Sequence, residues 1–240
     1  MAPTLETFIA DLSGRGRILL LGGLAVIAHG LSRSTKDADI WLEPFGDPSR
    51  WGSCLVDALA GWDGARFYDL RAHGLADAVE VPSIVERDGV IRITGFDRPL
   101  DVFRHPHNLE LADFDDIWVR ASPLSGGVRL PEDIDLLVTK EHTSRDQDAA
   151  DVAFLESRIR TRLARALATC SLHEATNIFQ RYLDHEICRA ALGNPLADVK
   201  NLARAMLEGL AHEGDPFASE ILKTNEENPG DVSRAVPPGS

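Results

Sequence analysis

Two aspartates, Asp37 and Asp39, offer the clearest metal-binding chemistry in this chain of 240 residues. They lie in the stretch KDADIWL, whose apolar residues predict a short β-strand. Side chains two positions apart in a strand point to the same face and lie roughly 6 to 7 Å apart along it. Carboxylate oxygens are the ligands that hard divalent cations prefer. The pair therefore predicts a site for one or two divalent cations, and the alternative is the solvated polar face of an edge strand.

A glycine pair upstream of these aspartates predicts a turn that binds phosphate. Residues 17–21, RILLL, have the pattern of a buried strand, which Gly22 and Gly23 end before a short helix over residues 24–29. Backbone N–H groups at a helix N-terminus are unpaired, and the helix dipole is positive there. Because glycine has no Cβ, an anionic ligand can approach this backbone closely. The sequence thus predicts a phosphate site close to a pair of carboxylates.

This arrangement resembles the signature of the DNA polymerase beta-like nucleotidyltransferase superfamily. A hydrophobic run leads into Gly22 and Gly23, a spacer covers residues 24–36, and Asp37-Ala38-Asp39-Ile40 follows. The local sequence, GGLAVIAHG with RSTKDADIWL, is similar to small bacterial nucleotidyltransferase-like proteins, including AbiEii-type toxins and antibiotic nucleotidyltransferases. The resemblance covers residues 15–45 and continues in patches to residue 155.

The resemblance also implies a third carboxylate on a neighbouring strand. Asp101 matches this position because it lies in PLDVF, where Leu100 and Val102 face one way and the aspartate faces the other. In that role Asp101 would share a metal with the first two aspartates and take the proton of an attacking hydroxyl. The alternative is an ordinary aspartate at a strand end. Asp97 is the next candidate, but it lies in a turn where aspartate is common for local reasons.

Lys140 is the cation that the resemblance assigns to the triphosphate. It precedes the stretch EHTSRDQDAADVAFLE, which resembles an element rich in Lys, Arg and Asp in the small nucleotidyltransferases. A lysine near phosphate supplies a point charge, although a lysine on a helix surface is the alternative. Arg145 and Asp146 are further candidates from the same element.

The reaction implied by the resemblance is a metal-dependent nucleotidyl transfer. An acceptor hydroxyl attacks the α-phosphate of a nucleoside triphosphate, such as ATP, and pyrophosphate is released. Two Mg²⁺ ions held by Asp37, Asp39 and Asp101 would position the triphosphate and neutralise its charge. Gly22 and Gly23 would hold the β- and γ-phosphates through backbone N–H groups.

Periodicity and turn signals predict the elements that position these residues. An amphipathic helix is predicted over residues 4–12, and a second helix begins at Asp47-Pro48 and runs to about residue 60. The Asp88-Gly89 pair in residues 83–94 predicts a β-hairpin. The predicted fold class is α/β (α+β), with a mixed-sheet nucleotidyltransferase core, flanking helices and an appended C-terminal helical bundle.

The predicted organisation has three parts: a core domain over residues 1–130, a helical region over 131–222, and a disordered tail over 223–240, which is polar and rich in Pro and Gly. On the predicted helix after residue 151, one face carries three arginines at i, i+4 and i+7: Arg158, Arg162 and Arg165. Such a stripe either forms a solvated face or contacts the phosphates of an RNA or nucleotide.

Composition excludes several classes of protein. The formal net charge of −13 argues against broad nucleic-acid binding, which needs a basic surface. The three cysteines are far apart in sequence, which argues against a disulfide framework. The N-terminus lacks a secretory signal, and no apolar run reaches the roughly 18 residues of a membrane span. We therefore expect a cytoplasmic protein that does not bind membranes.

Three functional hypotheses follow. The first is an enzyme that nucleotidylates a small molecule such as an antibiotic, which the acidic balance favours. The second is a toxin-like enzyme that modifies tRNA or protein, which the arginine stripe favours. The third is a catalytically silent member that binds only a nucleotide or a partner.

Overall fold

The computed structural model describes residues 4–141 and 146–227. The chain divides into two compact units, Met1–Leu155 and Glu156–Ser240. The first unit is mixed α/β and contains the candidate site, and the described part of the second unit is helical. The α/β architecture with a mixed sheet, which the sequence predicts, is therefore confirmed.

An eight-stranded sheet forms the centre of the first unit, in the order β4-β3-β5-β6-β2-β1-β8-β7. The strands are β1 (Ile18–Leu21), β2 (Ala38–Leu42), β3 (Arg66–Asp69), β4 (Gly74–Ala76), β5 (Val90–Thr94), β6 (Leu100–Phe103), β7 (Ser122–Pro123) and β8 (Val128–Leu130). The helices of this unit are α1 (Leu5–Ser13), α2 (Gly22–Ala28), α3 (Pro48–Leu59), α4 (Val81–Asp88), α5 (Asp113–Arg120) and α6 (Asp133–Lys140). Two 3₁₀ turns cover Ala78–Glu80 and Ser125–Gly127.

The centre of the sheet brings the two acidic strands side by side. Strand β2 runs antiparallel to β1 and parallel to β6. In this register Asp39 lies opposite Leu21 on one side and opposite Asp101 on the other. The end of β1, where the glycine turn begins, therefore lies next to Asp39, and Asp101 lies one strand further on.

One face of the sheet packs against α1, α3 and α4 to form the main core. Alternate residues of β2 and β6 point into it, as do the large apolar side chains of the helices: Ala38, Ile40, Leu42, Leu100, Val102, Phe8, Trp51 and Leu55. Burying each large side chain fully contributes about 1.5 to 3 kcal/mol. The opposite face carries Asp39, Asp101 and Trp41, and the Trp41 ring packs on Phe114 of α5. The strand parity predicted from the sequence is thus present.

Two helix starts agree with the sequence prediction. Helix α1 has Thr4 as its N-cap, with the side chain accepting a hydrogen bond from the Thr7 N–H. Helix α3 has Asp47 as its N-cap and Pro48 in its first turn.

The hairpin predicted at Asp88-Gly89 is wrong. The residues before Gly89 form helix α4, which buries Val81, Ile84 and Val85 at helical spacing. Gly89 adopts a left-handed conformation with φ of 72° and ends the helix. An Asp-Gly pair serves both a hairpin and a helix end, because both need a residue with positive φ. Only the residues after it form the predicted strand, β5.

Helix α7 (Asp146–Leu167) begins in the first unit and ends in the second. The second unit also contains α8 (Leu172–Arg181), α9 (His185–Ala191), α10 (Ala197–His212) and α11 (Pro216–Glu227). Helix α10 packs against α8, α9 and α11. The fully buried Asn194 donates hydrogen bonds to the carbonyls of Leu167 and Cys170, which fixes the end of α7. Helical structure from residue 151 onward agrees with the prediction, but α11 continues to Glu227, so residues 223–227 of the predicted disordered tail are helical. Residues 228–240 of that tail lie outside the described residues.

Candidate active site

The three aspartates singled out in the sequence line one cavity of about 670 Å³. Asp39 and Asp101 are direct partners on parallel strands, and Asp37 immediately precedes β2. The other polar residues and glycines that line the cavity are Gly22, Gly23, Arg33, Thr35, Arg92, His107, Thr139, Lys140 and Asp148. The structure therefore brings together the six residues that the sequence assigned to the site: Gly22, Gly23, Asp37, Asp39, Asp101 and Lys140.

The pKa of Asp39 is strongly perturbed in the cavity. Burial of its carboxylate, together with the negative charges of Asp101 and Asp37, raises its pKa from 3.8 to about 7. The positive charges of Lys140 and Arg92 oppose this shift without cancelling it. Near neutral pH the Asp39 carboxylate therefore holds a proton more readily than an ordinary aspartate does. The negative charges of Asp101 and Asp37 beside it also favour binding of a cation.

Arg92 on β5 occupies both oxygens of Asp101. Its Nε donates to Oδ1 at 2.6 Å and its Nη2 donates to Oδ2 at 2.7 Å. The same Nη2 lies 3.6 Å from Oδ2 of Asp37. The sequence reasoning missed this arginine, although the alternation in VIRIT carried the signal. Ile91 and Ile93 lie in the core, so Arg92 must face the acidic side of the sheet.

The backbone of the glycine turn lies close to side chains that line the cavity. Gly22 has φ of 58°, and a Cβ on it would lie 2.0 Å from Oδ2 of Asp39. A Cβ on Gly23 would lie 2.7 Å from Nη2 of Arg33 and 2.9 Å from Oγ1 of Thr35. Both glycines are therefore needed for close approach. The groups that approach them here are side chains of the protein itself.

Lys140 lies at the end of α6 in a buried charged network. Its Nζ is 2.7 Å from Oδ1 of Asp148 and 3.1 Å from Oδ2 of Asp151. The fully buried Asp151 also accepts a hydrogen bond from Nη2 of Arg33 at 2.7 Å. One buried acid thus holds two cations at the cavity. The sequence predicted Lys140 but missed Arg33, Asp148 and Asp151. For the two acids, the only signal was their i, i+3 spacing on a helix.

Other candidates from the sequence lie elsewhere. Asp97 accepts a hydrogen bond from the Leu5 N–H at 3.0 Å, so it supports the start of α1. His29 follows the last residue of α2, and its Nε2 lies 2.9 Å from the Pro131 carbonyl oxygen. Arg145 lies outside the described residues, and of Asp146 only the backbone is described. The arginines Arg158, Arg162 and Arg165 are exposed on α7.

The carboxylates suit a metal ion only in part. Within residues 4–141 and 146–227, no three side chains of Asp, Glu, His or Cys converge in a way that would hold a metal ion. At Asp101, Arg92 engages both carboxylate oxygens. Asp37 and Asp39 are the two of the three carboxylates that Arg92 does not engage in a bidentate pair, and carboxylate oxygen is the ligand that divalent cations prefer. Along the described chain, no helix is long and apolar enough to cross a membrane.

Comparison with known proteins adds little to this geometry. No family model matches the chain, and no curated protein sequence matches it. One solved structure that resembles the chain is titled "Crystal structure of putative nucleotidyltransferase from H. pylori". It is 16% identical, the alignment covers 92% of this chain and 93% of that one, and the TM-score is 0.36. At this TM-score the likeness does not bear on the chemistry.

Proposed function

We propose that this protein is a metal-dependent nucleotidyltransferase that moves a nucleoside monophosphate from a nucleoside triphosphate to an acceptor hydroxyl. The observation that carries the proposal is the pairing of Asp39 and Asp101 on parallel strands. This pairing, with Asp37 beside it, concentrates carboxylates in a cavity that also contains Lys140 and Arg33. The cavity volume of about 670 Å³ lies in the usual range for small-molecule sites.

The proposed reaction is one displacement at phosphorus. The acceptor oxygen forms a bond to the α-phosphorus, and the bond from that phosphorus to the bridging oxygen breaks. Pyrophosphate leaves with the electron pair of the broken bond. The hydroxyl proton passes to a carboxylate of the cavity, the role that the resemblance assigns to Asp101. The carboxylates and cations of the cavity hold the reacting groups in line.

A divalent cation would be held by Asp37 and Asp39. When bound, such an ion neutralises phosphate charge and orients the triphosphate. Its arrival would supply the counter-charge that Asp39 lacks, and the Asp39 proton would be released. The two-ion arrangement implied by the resemblance also needs Asp101, whose oxygens are engaged by Arg92.

Two cations are suitable for the triphosphate. Lys140 and Arg33 line the cavity, and Asp151 anchors both. Because Asp151 holds them in fixed positions, they would lose little conformational freedom on binding phosphate. Gly22 and Gly23 would complete the phosphate site only where Arg33 and Thr35 leave their backbone N–H groups accessible.

The test is transfer from each of the four nucleoside triphosphates, labelled at the α-phosphate, with Mg²⁺ and a cell extract as the source of acceptor. We expect a labelled product with the parent protein and none with Asp39→Asn. Asp97→Asn is the matched control, because Asp97 is an exposed aspartate outside the cavity and Asn keeps the acceptor for the Leu5 N–H. Equal product from the parent and Asp39→Asn would refute the proposal.

A second candidate is a catalytically silent nucleotide binder. The observation that favours it is the bidentate pair between Arg92 and Asp101, which engages the carboxylate assigned to proton transfer. Calorimetry with a nucleoside triphosphate and Mg²⁺ separates the two functions. Binding without release of pyrophosphate, whatever extract is added, would favour the silent binder.

A further inference from the structure

The ion pair between Arg92 and Asp101 is built into the sheet. Strands β5 and β6 are neighbours, and their register sets Arg92 opposite Asp101. The flanking pairs, Ile91 with Val102 and Ile93 with Leu100, are fully buried in the core. A one-residue slip of β5 would turn its two apolar side chains, Ile91 and Ile93, out of the core, so the register is strongly specified. Arg92 therefore faces the third carboxylate in every molecule.

The geometry of this pair resists replacement by a metal ion. The planar guanidinium matches the carboxylate with two parallel hydrogen bonds of 2.6 and 2.7 Å. The side chains of Arg92 and Asp101 are 26% and 9% exposed, so water screens the pair only weakly. A metal ion on Asp101 would have to displace the guanidinium. A guanidinium displaced from Asp101 would remain a positive charge of the cavity lining and would repel the incoming ion.

The charges of the site also favour one divalent cation over two. When Asp37, Asp39 and Asp101 are all ionised, the guanidinium of Arg92 compensates one of three negative charges. One divalent cation neutralises the two that remain. Without a bound triphosphate, a second divalent cation would leave this cluster with two excess positive charges.

We infer that the cavity binds a single divalent cation, on Asp37 and Asp39, and that Arg92 provides a permanent positive charge where a second ion would otherwise bind. This inference rests on the proposed function, because the ion is the one that the transfer reaction would use. It departs from the two-ion arrangement that the resemblance implies. Arg92 is then a residue that sets the number of ions, and Asp101 holds it in position.

The experiment counts bound Mn²⁺ ions by calorimetry and by electron paramagnetic resonance. Each protein is titrated with Mn²⁺ alone and with Mn²⁺ plus an α,β-methylene nucleoside triphosphate, which cannot be cleaved at that bond. We expect one ion for each parent molecule and two for Arg92→Gln, because glutamine removes the charge and frees Asp101. Arg120→Gln is the matched control: Arg120 pairs with Asp135 at 3.0 Å, and their exposures of 33% and 10% are similar.

Every outcome bears on the inference. One ion in the parent and in Arg120→Gln, rising to two in Arg92→Gln, supports it. Two ions in the parent would overturn it while leaving the proposed function intact, and so would one ion in both the parent and a folded Arg92→Gln. No ion in the parent under either condition would overturn both. The parent count alone decides between one ion and two, so the inference stays refutable if Arg92→Gln does not fold.

Discussion

Replacing Asp39 with Asn should stabilise the metal-free protein, and the gain should grow with pH. Asn removes a carboxylate that burial and two neighbouring carboxylates disfavour in its charged form. Asn keeps the size of Asp and most of its hydrogen-bonding capacity. A residue that held the core together would behave in the opposite way.

The magnitude follows from the pKa of Asp39, which rises from 3.8 to about 7 on folding. That difference corresponds to about 4 kcal/mol between the two protonation states. The folded protein holds this proton more tightly than the unfolded chain does. The protonated Asp39 therefore stabilises the fold, and this contribution is fully present below the unfolded pKa. It is lost as the pH rises through about 7. Because the Asp39 side chain keeps some contact with solvent, we expect about half of this value, roughly 2 kcal/mol.

Thermal melts in a chelator, at about pH 5 and about pH 8, test this reasoning. Subtracting the melting temperature of the parent from that of Asp39→Asn removes effects that the two proteins share. We expect an advantage for Asp39→Asn of about 4 to 8 °C near pH 8, and about two fifths of that advantage near pH 5. Excess Mg²⁺ should then stabilise the parent and leave the variant unchanged. A variant that melts below the parent near pH 8 in chelator would refute this account of the site.

Three further predictions concern the same cavity. Asp151→Asn should destabilise the protein by about 3 to 5 kcal/mol in urea unfolding, because Arg33 and Lys140 lose a buried counter-charge; an unchanged midpoint would contradict the network. Mn²⁺ affinity, measured by calorimetry, should rise with pH through about 7, because the ion displaces the Asp39 proton, and a flat profile would show that Asp39 is not a ligand. Gly23→Val should abolish nucleoside triphosphate binding in calorimetry, because its side chain would collide with Arg33 and Thr35, whereas Gly61→Val, in open space, should bind as the parent does.

Those features of the site that depend on residues close together in sequence could be predicted from the sequence. The period of two in a strand correctly separated Asp39 from Ala38 and Ile40, and the same rule separated Asp101 from Leu100 and Val102. The alternation is a strong signal because each apolar side chain enters a core. Once the strand is identified, the residues between the apolar ones must therefore lie on its opposite face. Helix caps such as Asp47 were predictable for the same reason, since the cap and its partner are neighbours in sequence.

The partners across the sheet could not be predicted. Arg92 meets Asp101 only because β5 and β6 are adjacent and in one register, which depends on the whole core. Arg33 and Asp151 are separated by more than one hundred positions and have no local pattern in common. The failed hairpin at Gly89 shows the same limit, because an Asp-Gly pair specifies a positive φ and does not specify what precedes it.

The close contact between Gly22 and Asp39 makes the two positions dependent on each other during evolution. While Asp39 is present, any side chain at position 22 collides with its carboxylate, and the positive φ adds a separate cost. A lineage that lost Asp39 would relax the first restriction and could then accumulate alanine or serine at position 22. Restoring the aspartate would afterwards produce a collision, so loss of the acid would become hard to reverse. A double-mutant cycle of Gly22→Ala with Asp39→Gly should accordingly show a coupling energy of about 0.5 to 3 kcal/mol.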